Sequence, residues 1–262
     1  MRIKWFSLIR ITGLICVLLY HFFQMRYTGG FIGVDIFFTF SGYLITALII
    51  DEFSRSQKFR LRDFYYRRVM RILPPLVLMI CIVLPFTLLV GKDYITDLTR
   101  QITSAVGFVT NIFEINTGGT YESRFIPHLF VHTWSLAIEV QFYLIWGFLL
   151  YLLTKVSTSV KQFRLRVLAG STLLAVGSAT AMYLGAQGLS EFSPIYFSSV
   201  THIFPFFVGS VLGSIAGIQD LMPAFSASVE KHWTKNKALA FMVINLALLF
   251  ILAYFLRFDR RE

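Results

Sequence analysis

Seven apolar runs, each about as long as a helix needs to cross a bilayer core, constrain this chain more than any other feature. They cover roughly 5–23, 31–50, 72–90, 132–153, 167–187, 196–217 and 237–256. Lipid offers no partner to a backbone N–H or C=O, so each run must satisfy its own hydrogen bonds, and a helix does so. The expected fold is all-α: a polytopic transmembrane helix bundle of about seven full spans. A shorter apolar stretch near 102–114 is expected to form an interfacial or re-entrant helix. Hydrophobic residues make up 56% of the 262 residues and charged residues 15%. A soluble domain carries about 25% charged residues. That balance excludes a single soluble core, disorder and a collagen-like chain. Cys16 and Cys81 both lie within apolar runs, so neither a disulfide framework nor a metal cluster is expected.

The formal charge of +10 suits basic loops that orient membrane helices and face anionic lipid, rather than nucleic acid. Arg55, Lys58, Arg60, Arg62, Arg67, Arg68 and Arg71 follow the second run. Lys155, Lys161, Arg164 and Arg166 follow the fourth, and Lys231, Lys235 and Lys237 the sixth. If the stretch near 102–114 does not cross, all three groups share one side with the N-terminus, and that side is expected to be cytoplasmic. The start, Met-Arg-Ile-Lys, lacks a small-residue cleavage site, and Arg10 interrupts its apolar run, so the first run is expected to be retained as a helix.

Ionisable groups at membrane depth are costly and point to function. Arg10 and His21 are eleven positions apart, close to three helical turns, so they share a face about 16 Å apart in depth. Arg binds phosphate or carboxylate through its fork of donors, and His takes a proton near neutral pH. The plain alternative is a snorkelling Arg and an interfacial His. In HTWSLAIEVQFYLIW, His132, Ser135, Glu139, Tyr143 and Trp146 follow one helical face, with Glu139 well inside the bilayer. Arg10 or His21 is the expected partner of Glu139, against a structural inter-helix hydrogen bond. In FYYRRVMRILPP, Arg68 and Arg71 lie one turn apart, with Pro74 and Pro75 expected in the first turn of the span. They read as a membrane anchor or as a phosphate clamp. Asp35 and Ser41 lie on the second run, where Asp35 is expected to tie a loop or cap the helix. His202 and Pro205 are expected to kink the sixth run.

These segments together resemble the acyltransferase 3 family of integral membrane acyltransferases. The resemblance rests on R-x10-H at Arg10 and His21, GGFIGVDIFFTFSGYLIT, R-x-x-R at Arg68 and Arg71, and HTWSLAIEVQFYL around Glu139, in that order. The wording is most similar to Gram-positive peptidoglycan O-acetyltransferases. The resemblance implies transfer of acetyl from cytosolic acetyl-CoA across the cell membrane to a glycan hydroxyl, that of peptidoglycan N-acetylmuramic acid, protecting the wall from lysozyme. It marks Arg10, His21, Arg68 and Arg71 as functional and matches Glu139 to the WSL-x-x-E motif, so that His21 and Glu139 are the expected catalytic residues. His21 is expected to act as general base with Glu139 orienting it, or to become acylated itself. Arg10, Arg68 and Arg71 would bind the donor. Asp35, Ser41, His132, Trp134 and Ser135 would support them. Acetyl-CoA is then a substrate, no cofactor or metal is bound, and the partners are the glycan acceptor or an extracytoplasmic transferase domain. The chain departs from the family in its fewer spans, in Val140 where a second Glu is common, in the absence of an SGNH-type domain, and near His202, where an Arg is usual. Residues 1–262 are therefore expected to be a single membrane acyltransferase domain without its C-terminal spans. Two rival classes are a transporter with an intramembrane His/Glu/Arg proton relay and a bis-His haem or quinone protein.

Overall fold

The computed structural model describes residues 4–23, 27–90, 97–118, 128–187 and 191–216. Among these the structure is helical throughout: α1 (Lys4–Phe22), α2 (Ile32–Ser56), α3 (Leu61–Val90), α4 (Leu98–Val106), α5 (Thr110–Thr117), α6 (Trp134–Val156), α7 (Val160–Gly185), α8 (Ser193–Tyr196) and α9 (Phe204–Ala216). Among the described residues, four stretches are long and apolar enough to cross a membrane: Gly29–Ser56, Leu61–Thr87, Val131–Val156 and Val160–Gly185. Ile9–Phe22 and Phe204–Ala216 are shorter apolar helices. The apolar run at 237–256 lies outside the described residues.

The structure differs most from the sequence reading at the start of α3 and within the sixth run. Helix α3 begins at Leu61, eleven residues before the expected 72. Its basic first turns are held as helix by ion pairs: Arg60 to Asp63 at 3.2 Å and Arg67 to Glu52 of α2 at 3.5 Å. Pro74 and Pro75 therefore sit in the helix interior, not in its first turn. Lacking N–H groups, they leave the carbonyls of Met70 and Arg71 without their i+4 donors. The expected sixth run divides into α8 and α9, joined by a turn around His202. Pro205 is the second residue of α9, so it opens a helix instead of kinking one.

Small residues set the packing of α1, α2 and α9. A Cβ on Gly42 would lie 1.9 Å from the Phe206 carbonyl oxygen, and one on Gly209 would lie 1.9 Å from that of Thr39. No side chain fits there, so α2 and α9 touch backbone to backbone, as lipid-embedded helices do when association relies on close packing. Gly33 meets the Gly13 carbonyl in the same way, which joins α1 to α2. Buried hydroxyls add polar ties. Trp146 Nε1 donates to Thr46 Oγ1 at 3.0 Å, and Thr46 donates to Ser210 at 2.9 Å, linking α6, α2 and α9.

The stretch expected near 102–114 forms two helices, α4 and α5, of nine and eight residues. Each rises about 14 Å or less, so neither crosses a bilayer alone. They turn at Phe108, whose φ of 54° is left-handed. Gln141 of α6 holds that turn, donating to the Phe108 carbonyl at 2.9 Å and to Asn111 Oδ1 at 3.0 Å. Asn111 donates to the Phe197 carbonyl and to Ser199, and Ser199 donates back to Gln141. This closed polar ring latches the short pair onto α6 and the α8–α9 turn. Glu114, 1% exposed, is bonded to His128 Nδ1 at 2.8 Å. Burial raises the Glu114 carboxyl above its ordinary range, and the His128 bond opposes that rise.

Candidate active site

Antiparallel packing of α1 on α2 brings Arg10 level with Phe40 and Ser41. The Arg10 guanidinium lies 5.0 Å from the Phe40 ring centroid. Facing it on α6 is Glu139, whose Oε1 accepts a hydrogen bond from Ser41 Oγ at 2.7 Å and another from the Tyr143 hydroxyl one turn further on. Arg68 of α3 completes this level. Its guanidinium lies 5.5 Å from the centroids of both Phe64 and Tyr143, and its buried Nε has no hydrogen-bond partner among the described residues. The Glu139 carboxylate attracts both Arg10 and Arg68, while Arg71 repels both. Among the described residues none of these three arginines makes an ion pair within 4 Å. With Glu139 ionised, the level carries a surplus of two positive charges, suited to an anion.

A second level holds the imidazoles. His21 and His132 meet edge to face, with ring centroids 4.8 Å apart. His132 stands seven positions before Glu139, about 10 Å away along α6. The carboxylate's hydrogen bonds thus go to Ser41 and Tyr143, and the group beside His21 is His132. His21 Nδ1 donates to the Val17 carbonyl at 2.8 Å. A carbonyl only accepts, so Nδ1 carries the proton and the lone pair of the neutral ring is on Nε2.

Two adjoining cavities connect the levels. One, about 620 Å³, is lined by Arg10, Ser41, Glu139 and Arg71 at one level and His21, His132, Trp134 and Ser135 at the other. The second, about 400 Å³, is lined by Arg68, Arg71, Glu139 and Tyr143, then by the apolar strip Ile72, Pro75, Leu76 and Met79 of α3, and reaches His132 and Thr133. Arg71, His132, Leu136 and Glu139 line both.

Of the sequence-predicted residues, Arg10, His21, Ser41, Arg68, Arg71, His132, Trp134, Ser135 and Glu139 all line one cavity or the other. Asp35 does not. Its Oδ1 binds His202 Nε2 at 2.7 Å, and His202 Nδ1 donates to the Tyr196 carbonyl at 2.7 Å. This pair ties the start of α2 to the turn before α9, the loop-tying role open to Asp35. Trp134, 1% exposed, stacks on the His202 ring. Trp146 shares the predicted α6 stripe but is buried away from the cavities. Tyr143 was on that stripe with no role assigned, and its place one turn after Glu139 was the only available signal.

A family model described as an acyltransferase domain matches residues 3–259. The chain belongs to the acyltransferase 3 family. The family match spans nearly the whole chain, including the four motifs that line the cavities. O-acetyltransferase OatA of Staphylococcus aureus strain NCTC 8325 / PS 47 is 31% identical over 274 residues, which is 94% of this chain and 43% of that protein. OatA of strain MRSA252 is similar to the same degree. The chain thus spans less than half the length of these family relatives. No solved structure matches it.

Proposed function

We propose that this chain is a membrane O-acetyltransferase that takes acetyl from acetyl-CoA on the cytoplasmic side and passes it towards a cell-wall glycan hydroxyl, that of peptidoglycan N-acetylmuramic acid. The observation that carries this reading is the two-level cavity. Three guanidinium groups without ion-pair partners among the described residues surround one carboxylate, and the space they line runs on to an imidazole with a fixed tautomer. An acyl-CoA is anionic at one end and reactive at the far end of a long arm, which suits such a site. Arg68 and Arg71 hold its phosphates, with Arg10 beside them. The arm follows the apolar strip of α3. His21 Nε2 takes the proton from the attacking hydroxyl. Glu139, fixed by Ser41 and Tyr143, keeps Arg10 and Arg68 in place. The N-terminus and the basic segment around the α2–α3 turn lie on the cytoplasmic side in this reading. The OatA relatives support O-acetyl transfer, and the partners are acetyl-CoA, lipid, and the glycan or an extracytoplasmic transferase domain.

The test is transfer of labelled acetyl from acetyl-CoA to a muramic-acid-containing disaccharide by the protein in nanodiscs. His21→Ala is expected to lower the rate by about 10²-fold or more. Unchanged transfer by a folded His21→Ala protein overturns the base role.

A further inference from the structure

The four described histidines are engaged in different ways. His128 is bound to Glu114, and His202 is bound through both ring nitrogens to Asp35 and the Tyr196 carbonyl. His21 is fixed through Nδ1. His132 differs: neither of its ring nitrogens makes a hydrogen bond among the described residues. Its ring nevertheless touches His21 and lines both cavities, whereas His21 lines only the larger one. His132 therefore stands where the cavity of Arg68 and Arg71 meets the cavity of His21. A thioester arm lying along the α3 strip and a hydroxyl at His21 would meet at this ring.

We propose that His21 and His132 act as a two-imidazole acid–base pair, His21 taking the proton of the acceptor hydroxyl and His132 delivering one to the departing thiolate. The inference rests on the acyltransferase reading above and adds a second catalytic residue to it. The hydroxyl oxygen forms a bond to the thioester carbonyl carbon, and its proton goes to His21 Nε2. The C–S bond breaks with its electron pair on sulfur, and sulfur takes a proton from His132 in its imidazolium form, leaving that ring neutral. Ester and thiol leave. His21 then holds one proton more and His132 one fewer, and proton exchange with solvent water resets both rings. No oxidant, reductant or further reactant is needed.

The leaving group separates this role from a structural one. A simple alkyl thiolate such as that of CoA is basic and benefits from a proton, whereas a nitrophenyl thiolate leaves readily without one. In nanodiscs with a muramic-acid-containing disaccharide as acceptor, His132→Gln is expected to lower transfer from acetyl-CoA by about 10²-fold and to leave transfer from S-(4-nitrophenyl) thioacetate nearly unchanged. Equal losses with both donors, or no loss with acetyl-CoA, overturn the pair. His21→Gln is expected to lower transfer from both donors. If it lowers neither, the base reading itself fails, whatever His132→Gln does. If the Gln variant does not fold, His132→Gly with added imidazole serves instead: recovery of the acetyl-CoA rate supports the pair, and failure to recover it overturns the pair.

Discussion

A guanidinium within a membrane-crossing helix costs about 3 kcal/mol on insertion scales. Arg68 offsets that cost with ring faces, resting on Phe64 and Tyr143. Flat stacking of this kind needs a planar delocalised cation, which Lys does not supply. Arg68→Lys is therefore expected to raise the apparent KM for acetyl-CoA about ten-fold while the protein still folds, as measured by steady-state CoA release. A KM within experimental error of the parent contradicts a stacked donor-binding role. Motif spacing made Arg10, His21, Arg68, Arg71 and Glu139 legible in the sequence. Which of them meet was not legible, because that depends on the register between helices. Of the partners open to Glu139, Arg10 lies at its level and feels its charge, whereas His21 meets His132, about 10 Å from the carboxylate along the helix. Ser41 and Tyr143 occupy the carboxylate.

Among the helices, the contact of α2 with α9 is fixed most tightly. Gly42→Val places carbon atoms where the Phe206 backbone stands, and the two helices must part. A loss of about 3 kcal/mol is expected, visible as a lower unfolding midpoint in detergent; an unchanged midpoint contradicts the backbone contact. The short α4–α5 pair supplies a pH-dependent counterpart. The Glu114 carboxyl is raised in the folded protein by burial. Its stabilising contribution is then full below the unfolded carboxylate range and lost as pH rises through the folded value. Glu114→Gln is neutral at every pH, so its stability relative to the parent is expected to rise with pH in thermal unfolding series. A constant difference contradicts the raised carboxyl. Element type was legible from apolar length, but boundaries were not. The basic residues at 60–71 read as a loop, and their ion pairs with Glu52 and Asp63 let α3 continue through them. The polar ring of Asn111, Gln141 and Ser199 left no sequence signal, since its members come from three separate segments.

Across the whole molecule, charge and apolar surface are sorted into one arrangement. Among the described residues, lipid-length helices carry apolar residues outward, and Arg10, Arg68, Arg71, Glu139, His21 and His132 gather around two adjoining cavities between α1, α2, α3 and α6. A proton-coupled carrier would use the same residues, but it would leave a thioester intact. The chain spans 43% of OatA, so completing the reaction at the wall is a separate question from using the donor. The most direct measurement is therefore CoA release from acetyl-CoA by this chain in nanodiscs, beside an Arg10→Ala/His21→Ala variant of equal folding. The account predicts steady release that the double variant loses. Release that is absent from the parent, or equal in parent and variant, contradicts the claim that these two levels form the donor site of an acyltransferase.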